Sequence, residues 1–395
     1  MNSVPQDNAY LATGPVGRLL LKFSVPCVLS MLVSALYNIV DQVFIGQSVG
    51  YLGNAATNVV YPFTMVALAL ALLVGDGAAA LLSLSLGKGD EETGRRCVGH
   101  AAVLIVVVGI VLMTVEFVWM DPLLRLFGVI EASYAYAYEY FQVILLGIPF
   151  YVFASGMNST IRADGAPGYS MFATVLGAVL NLILDPVAIF VLDMGVRGAA
   201  IATVIGQVAS CIATALYFRR PRTFRFRKDS FRLHGRVVNR ICQLGISSFI
   251  TQIAIVIIIS VANNVIVRYG PLSPYGAEIP LSVVGIVMKV FGIVIAFSVG
   301  IAVGGQPLVG YNYGAENYSR VFAVYRRVIA ANVVVGAVRC CCSSFAPRRL
   351  CPCSAVRMPC TTNTPAGAFG FFCPGFSSAA YKKPAAFSCS PLAVR

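Results

Sequence analysis

Charge is what this chain has least of. Asp, Glu, Lys and Arg make up only 11% of its 395 residues, against about a quarter in an ordinary soluble domain. Acids are scarcer still, at 16, and the chain holds 2 histidines and 1 tryptophan. So little polar surface cannot solvate a globular domain of this size. Also missing are a phosphate-binding glycine loop, a metal-ligand cluster and a nucleophile elbow. Enzyme chemistry such as ATP hydrolysis is therefore not expected, and no cofactor is called for. The N-terminus lacks a short apolar core followed by a small-residue cleavage site, so a removable leader is not expected either.

What is there is apolar. Hydrophobic residues make up 58% of the chain and the mean hydropathy is +0.80. About 20 apolar residues cross a ~30 Å hydrocarbon core. Lipid offers backbone groups no partner, so such runs must be helices. The expected fold is an all-α polytopic membrane protein. Spans read at about 19–46, 55–86, 98–118, 135–160, 168–192, 198–218, 243–268 and 281–311, with the start of another at 321–338. That gives eight or nine helices.

The net charge of +13 raises the question of nucleic acid, but the placement of the charges answers it. With the N-terminus inside, eighteen basic residues fall in inside segments, nine of them from Arg219 to Arg240. Only Arg125, Arg197 and Arg268 fall outside. This is the positive-inside pattern. The charge reports topology, with some contact to anionic lipid heads, and no nucleic-acid partner is expected.

The basic stretch 219–240 is expected to link two lobes. One is a six-helix lobe over 1–218 and the other a partial lobe over 241–338. An internal repeat supports the division. Leu86-Gly87-Lys88-Gly89-Asp90-Glu91 aligns with Tyr311-Asn312-Tyr313-Gly314-Ala315-Glu316, and Gly75 with Gly300. At nearly the same offset Asp41-Gln42-Val43 falls on Asn263-Asn264-Val265. The two lobes would then be parallel repeats. The repeat predicts further spans that 339–395 does not supply. Eight of the 12 cysteines and seven of the 20 prolines lie in this tail, without the spacing of a zinc site. A frameshift near codon 338, leaving a disordered tail, is the expectation here.

The first span carries one charge, Asp41. An acid at that depth costs about 2.5–3.5 kcal/mol by insertion scales and marks a candidate site. Counting a ~1.5 Å rise per residue from the inner face, Asp41 lies ~28 Å up, Asp185 ~25 Å and Thr203 ~24 Å. Three polar groups on three spans thus reach one level. Asn181 precedes Asp185 by four residues, and Tyr37 precedes Asp41 by four, so each pair shares a helix face. Two carboxylates in a low-dielectric cavity resist joint ionisation. Such a pair can hold H⁺ or Na⁺ and exchange it for an organic cation. Hydrogen bonding between helices by scattered polar residues is the structural alternative. Pro186 frees the carbonyl of Leu182, and Pro26 lies below Asp41, so either helix could kink or move. Asp76, Lys289, Asn263, Gln252 and Pro26 are further candidates for substrate contact or gating. Glu116, beside Trp119, reads as interfacial, and His100 and His234 suggest nothing catalytic.

At this point the sequence resembles the multidrug and toxic compound extrusion (MATE) transporters, most closely MepA-like bacterial members. The resemblance covers about 15–338. It rests on Tyr37-Asn38-Ile39-Val40-Asp41, Gly87-Lys88-Gly89-Asp90, Ile161-Arg162-Ala163-Asp164-Gly165 and Asn181-Leu182-Ile183-Leu184-Asp185-Pro186. Gly198-Ala199-Ala200-Ile201-Ala202-Thr203 and the run Gln306 to Ala315 complete it. It implies a twelve-helix, two-lobe exporter driven by Na⁺ or H⁺, in a bacterial cytoplasmic membrane with its N-terminus inside, acting as a monomer. It also implies that Asp41, Asn181, Asp185 and Thr203 form the cation site with Tyr37 beside it, and that the cargo is amphipathic, mostly cationic drugs. Two alternatives stand beside this: an inactive fragment of such a transporter, and a flippase of lipid-linked substrates. The second would want a cationic cavity, for which only Lys289 is available.

Overall fold

The computed structural model describes residues 10–127, 129, 131–269 and 278–345. Among them the chain forms helices and no strands. After a single turn, α1 (Tyr10–Thr13), come α2 (Val16–Ser48), α3 (Tyr51–Lys88), α4 (Glu91–Val118) and the short α5 (Met120–Leu126). Then follow α6 (Glu131–Ala163), α7 (Pro167–Pro186), α8 (Gly195–Tyr217), α9 (Gly235–Tyr269), α10 (Glu278–Gly314) and α11 (Tyr318–Phe345). Eight helices are long and apolar enough to cross a membrane, namely α2, α3, α4, α6, α7 with the turn that follows it, α8, α9 and α10. The predicted tail is only partly covered: α11 continues past residue 338 to Phe345, and 346–395 lie outside the described residues.

The fifth predicted span, 168–192, is not one α-helix. Pro186 removes an amide donor, and from Val187 to Val191 the backbone widens into a π-turn. Leu192 N–H donates to the carbonyl of Val187 at 3.0 Å, closing it. Single π-turns often mark functional sites, and this one begins two residues after Asp185.

Within the bundle α6 packs on α3, α4 and α8, while α2 lies against α7. Phe141, Ile144, Leu145 and Ile148 of α6 fill the core with Val60 and Phe63 of α3 and Ile105 of α4. Apolar side chains on outer faces, such as Val107, Ile110 and Val111 of α4 and Ile212 and Leu216 of α8, stay exposed, as a lipid-facing surface requires. Lipid removes the hydrophobic drive between helices, so close backbone approach matters more. At the α7–α8 crossing, a Cβ on Gly177 or on Gly206 would stand 2.6 Å from the other's carbonyl oxygen. Only glycine fits at both positions, and their contact brings Asn181 and Thr203 side by side.

A second crossing ties the rear helices to the front. α9 lies on α3, and α10 on α2 and α3. A Cβ on Gly77 would strike the carbonyl of Ile241, and one on Gly245 the carbonyl of Leu73. The two helices therefore meet backbone to backbone, in the half of α3 that ends at Lys88.

The basic segment between α8 and α9 is folded and anchored. Asp164, fully buried in the α6–α7 turn, accepts from the Tyr217 hydroxyl at 2.6 Å, from Arg222 N–H at 2.8 Å and from Thr223 N–H at 3.1 Å. The Thr223 hydroxyl also donates to it. Burial raises the Asp164 carboxyl above its ordinary range, against the pull of these donors. Farther along, His100 of α4 is fully buried. Its Nδ1 lies 2.7 Å from the Arg96 carbonyl and 3.1 Å from that of Ser230, so Nδ1 carries the proton. Nε2 then accepts from His234 N–H at 2.8 Å. At the start of the same helix Asp90 caps α4 by accepting from Thr93 N–H at 3.0 Å. Those bonds hold its carboxyl below the ordinary range.

Candidate functional site

Three helices bring oxygen atoms to one point. Asn181 Nδ2 donates to Asp185 Oδ1 at 3.0 Å, one helical turn along α7. It also donates to Thr203 Oγ1 of α8 at 3.3 Å. From α2, the Asp41 carboxyl lies within electrostatic reach of that of Asp185. Asp185 is fully buried, Asn181 is 3% exposed, and Asp41 and Thr203 are half-buried. The arrangement joins Asp41, Asn181, Asp185 and Thr203 in one cluster.

Its chemistry follows from what is left over. Asn181 spends its amide N–H groups on neighbours, which leaves its carbonyl oxygen free. Asp41 Oδ1, Asn181 Oδ1 and Asp185 Oδ2 are all buried without a hydrogen-bond donor among the described residues. A buried acceptor without a donor costs about 1–3 kcal/mol. Ionised carboxylates accept and do not donate, so two facing each other require a proton or a cation between them. Four oxygen ligands of carboxylate, amide and hydroxyl type suit a hard cation. No group of three or more His, Cys, Asp or Glu residues able to hold a metal ion occurs among the described residues.

Tyrosines of α2 and α6 lie near the acids. Tyr37 lies within electrostatic reach of Asp41, Asp185 and Tyr61. Tyr140 of α6 is within reach of Asp41, Asp185 and Tyr37, and Tyr151 of α6 is within reach of Tyr37 and Tyr61. Sequence reasoning found Tyr37 but missed Tyr61, Tyr140 and Tyr151. In a membrane bundle an aromatic residue reads as packing, and nothing in the sequence sets these apart.

The other candidates are scattered. Asp76 accepts from Ser159 of α6 and Ser248 of α9, both at 2.8 Å, with Arg162 Nη2 at 4.0 Å. Its carboxylate is already engaged, tying α3 to α6 and α9 beside the Gly77–Gly245 crossing. Pro26 sits at the other rear contact, between Ser24, whose hydroxyl donates to Ile301 of α10 at 3.3 Å, and Val28, which faces Gly300. Gln252 is half-buried on α9. The side chains of Asn263 and Lys289 lie outside the described residues. Glu116 is 4% exposed, near exposed Trp119. Nothing in the structure explains its burial.

A polytopic bundle with a buried pair of acids on facing helices has the build of a membrane carrier. The family comparison makes this specific. The model of the MatE family matches residues 26–187 and 249–351, and the chain belongs to that family as a MepA-like MATE transporter. It is 26% identical over 327 residues to the multidrug export protein MepA of Staphylococcus aureus, covering 82% of this chain and 71% of that protein. MepA of Staphylococcus saprophyticus is 25% identical over 334 residues, covering 83% of this chain and 71% of that protein. Among solved structures, the MATE multidrug transporter DinF-BH is 30% identical, with a TM-score of 0.79 over 87% of this chain and 75% of that one. A MOP superfamily transporter from Pyrococcus furiosus superposes with a TM-score of 0.81 at 23% identity, over 96% of this chain and 85% of that one, a likeness of fold alone.

Proposed function

We propose that this protein is a secondary exporter of amphipathic organic cations, loaded in exchange for H⁺ or Na⁺ by alternating access. Asp41 and Asp185 are the coupling acids, Asn181 and Thr203 complete the cation's oxygen shell, and Tyr37 flanks it. The membrane is the bacterial cytoplasmic membrane, with the basic loops and the N-terminus inside. One observation carries the reading: Asp41 and Asp185 meet across two helices while Asp41 Oδ1, Asn181 Oδ1 and Asp185 Oδ2 stay buried without donors. Related proteins described as multidrug exporters and transporters support the cargo class.

Coupling follows from charge. The acids can be neutralised by the ion or, near the same place, by a cationic cargo. Binding one disfavours the other, which is what exchange requires. The seam of α3 with α9 and of α2 with α10 must part for cargo to enter from the inner side. Everted vesicles accumulating a fluorescent cationic dye under a Na⁺ or pH gradient test the proposal. Asp185→Asn should abolish gradient-driven accumulation, and dye uptake at the wild-type rate in that variant would sink it.

A further inference from the structure

Apart from the acid cluster, the described residues line an open cavity of about 270 Å³ where α4, α6 and α8 meet the basic segment. Ala102, Phe153, Met157, Phe218, Phe226 and Phe231 line it. Phe226 and Phe231 stack with centroids 5.3 Å apart. Among the described residues the charged group in the lining is Arg219. Exposed Arg225, Arg227 and Arg232 flank Phe226 and Phe231 in the chain, with exposed Asp229 the one acid among them. The wall is held in place from two sides, by Asp164 at Arg222–Thr223 and by His100 at Ser230 and His234.

Two features set this segment apart from an ordinary polar loop. It exposes 45% of Phe231 and 51% of Leu233 on either side of Arg232. Apolar side chains interleaved with arginines are the pattern of a surface that lies in the headgroup region. On α8, Ala215 of the lining is next to Leu216, which is exposed along with Ile212. At ~30 Å³ per water-sized group the cavity holds about nine methylene-sized groups. A soluble anion would meet the arginines but gain nothing from five aromatic or sulfur-bearing walls.

The geometry points to a binding site for an anionic phospholipid, with the end of one acyl chain between Phe153, Phe226 and Phe231 and its phosphate against Arg219 and the neighbouring arginines. The lipid completes the boundary between the first helices and the segment leading to α9.

The test uses the full chain with the lone tryptophan moved into the cavity, Trp119→Phe with Phe231→Trp, in vesicles of phosphatidylcholine. Acyl-brominated phosphatidylglycerol is added in one arm and acyl-brominated phosphatidylcholine in the other. The phosphatidylglycerol arm should reach half-quenching at a mole fraction about tenfold lower. Arg219→Gln and Arg227→Gln should each reduce that preference about fivefold, from the ~1 kcal/mol per basic residue at an anionic surface. Raising salt to about 0.5 M should collapse it without further substitution, because the Debye length shrinks to a few ångströms. Should the tryptophan variant fail to fold, native mass spectrometry of the unaltered protein should show phosphatidylglycerol retained over phosphatidylcholine. Equal quenching or equal retention of the two lipids would reduce the site to ordinary boundary lipid. A preference that survives both arginine variants and high salt would equally overturn the assignment.

Discussion

Asp41→Asn offers the sharpest examination of the acid pair, because the structure says what the new amide would do. Its NH₂ group would lie near the Asp185 carboxyl, which the Asp41 carboxyl now faces within electrostatic reach. The amide would donate where a proton or cation is otherwise needed, and the site would be satisfied without an ion. The unaltered protein should therefore be stabilised by its coupling ion while the variant should not. A ligand at a hundredfold excess over its Kd stabilises by about 2.7 kcal/mol. At no more than ~2 °C per kcal/mol for a chain of this length, the melting temperature should rise by a few degrees. The assay is thermal unfolding in detergent, as a Na⁺ titration at fixed pH and a pH titration without Na⁺. The shift appears in the first if Na⁺ is the ion and in the second if H⁺ is. Asp41→Asn should flatten whichever curve responds. A variant that keeps the full shift, or an unaltered protein that responds in neither titration, would refute the reasoning.

Other predictions concern the frame that holds the site. Asp164→Ala strands the donors of Tyr217, Arg222 and Thr223, at about 1–3 kcal/mol for each buried group; the basic segment should become the first place trypsin cuts, and unchanged digestion would contradict the anchor. Asp90→Ala should cost about 1 kcal/mol at neutral pH as a lost helix cap. The Asp90 carboxyl is held below its ordinary range in the folded state. Its stabilisation is therefore present above the unfolded value of ~3.9 and fades as pH falls through the folded one, so the melting curves of the two proteins should converge in acid. Gly206→Val would push α8 off α7 and move Thr203 from Asn181; loss of the ion-dependent melting shift, with helix content by circular dichroism retained, is the expected result.

Much of this was legible because membrane depth is a one-dimensional quantity. Counting rise per residue from the basic loops is enough to level Asp41, Asp185 and Thr203, and the i, i+4 rule puts Asn181 beside Asp185. Three things were not legible. Tyr140 and Tyr151 look like any other aromatic residue on a packed helix, and nothing local ties them to α2. Asp76 looks as costly as Asp41, and only the fold reveals that Ser159 and Ser248 meet its two oxygens. The π-turn after Pro186 could be anticipated as a break in the helix but not as a widening, since a proline kink and a π-turn begin with the same missing donor.

The crossing of α3 over α9 has a kinetic consequence. Side chains that interdigitate must change rotamer before two helices can part, and each such step adds to a barrier. Where Gly77 and Gly245 let backbone lie on backbone, fewer rotamers have to be unlocked. The directional bond from Ser248 to Asp76 then adds to what packing resists there. If the proposed exchange parts this seam, fewer side chains have to let go at the crossing than at one built of interlocked large residues, and Ser248→Ala should speed the parting.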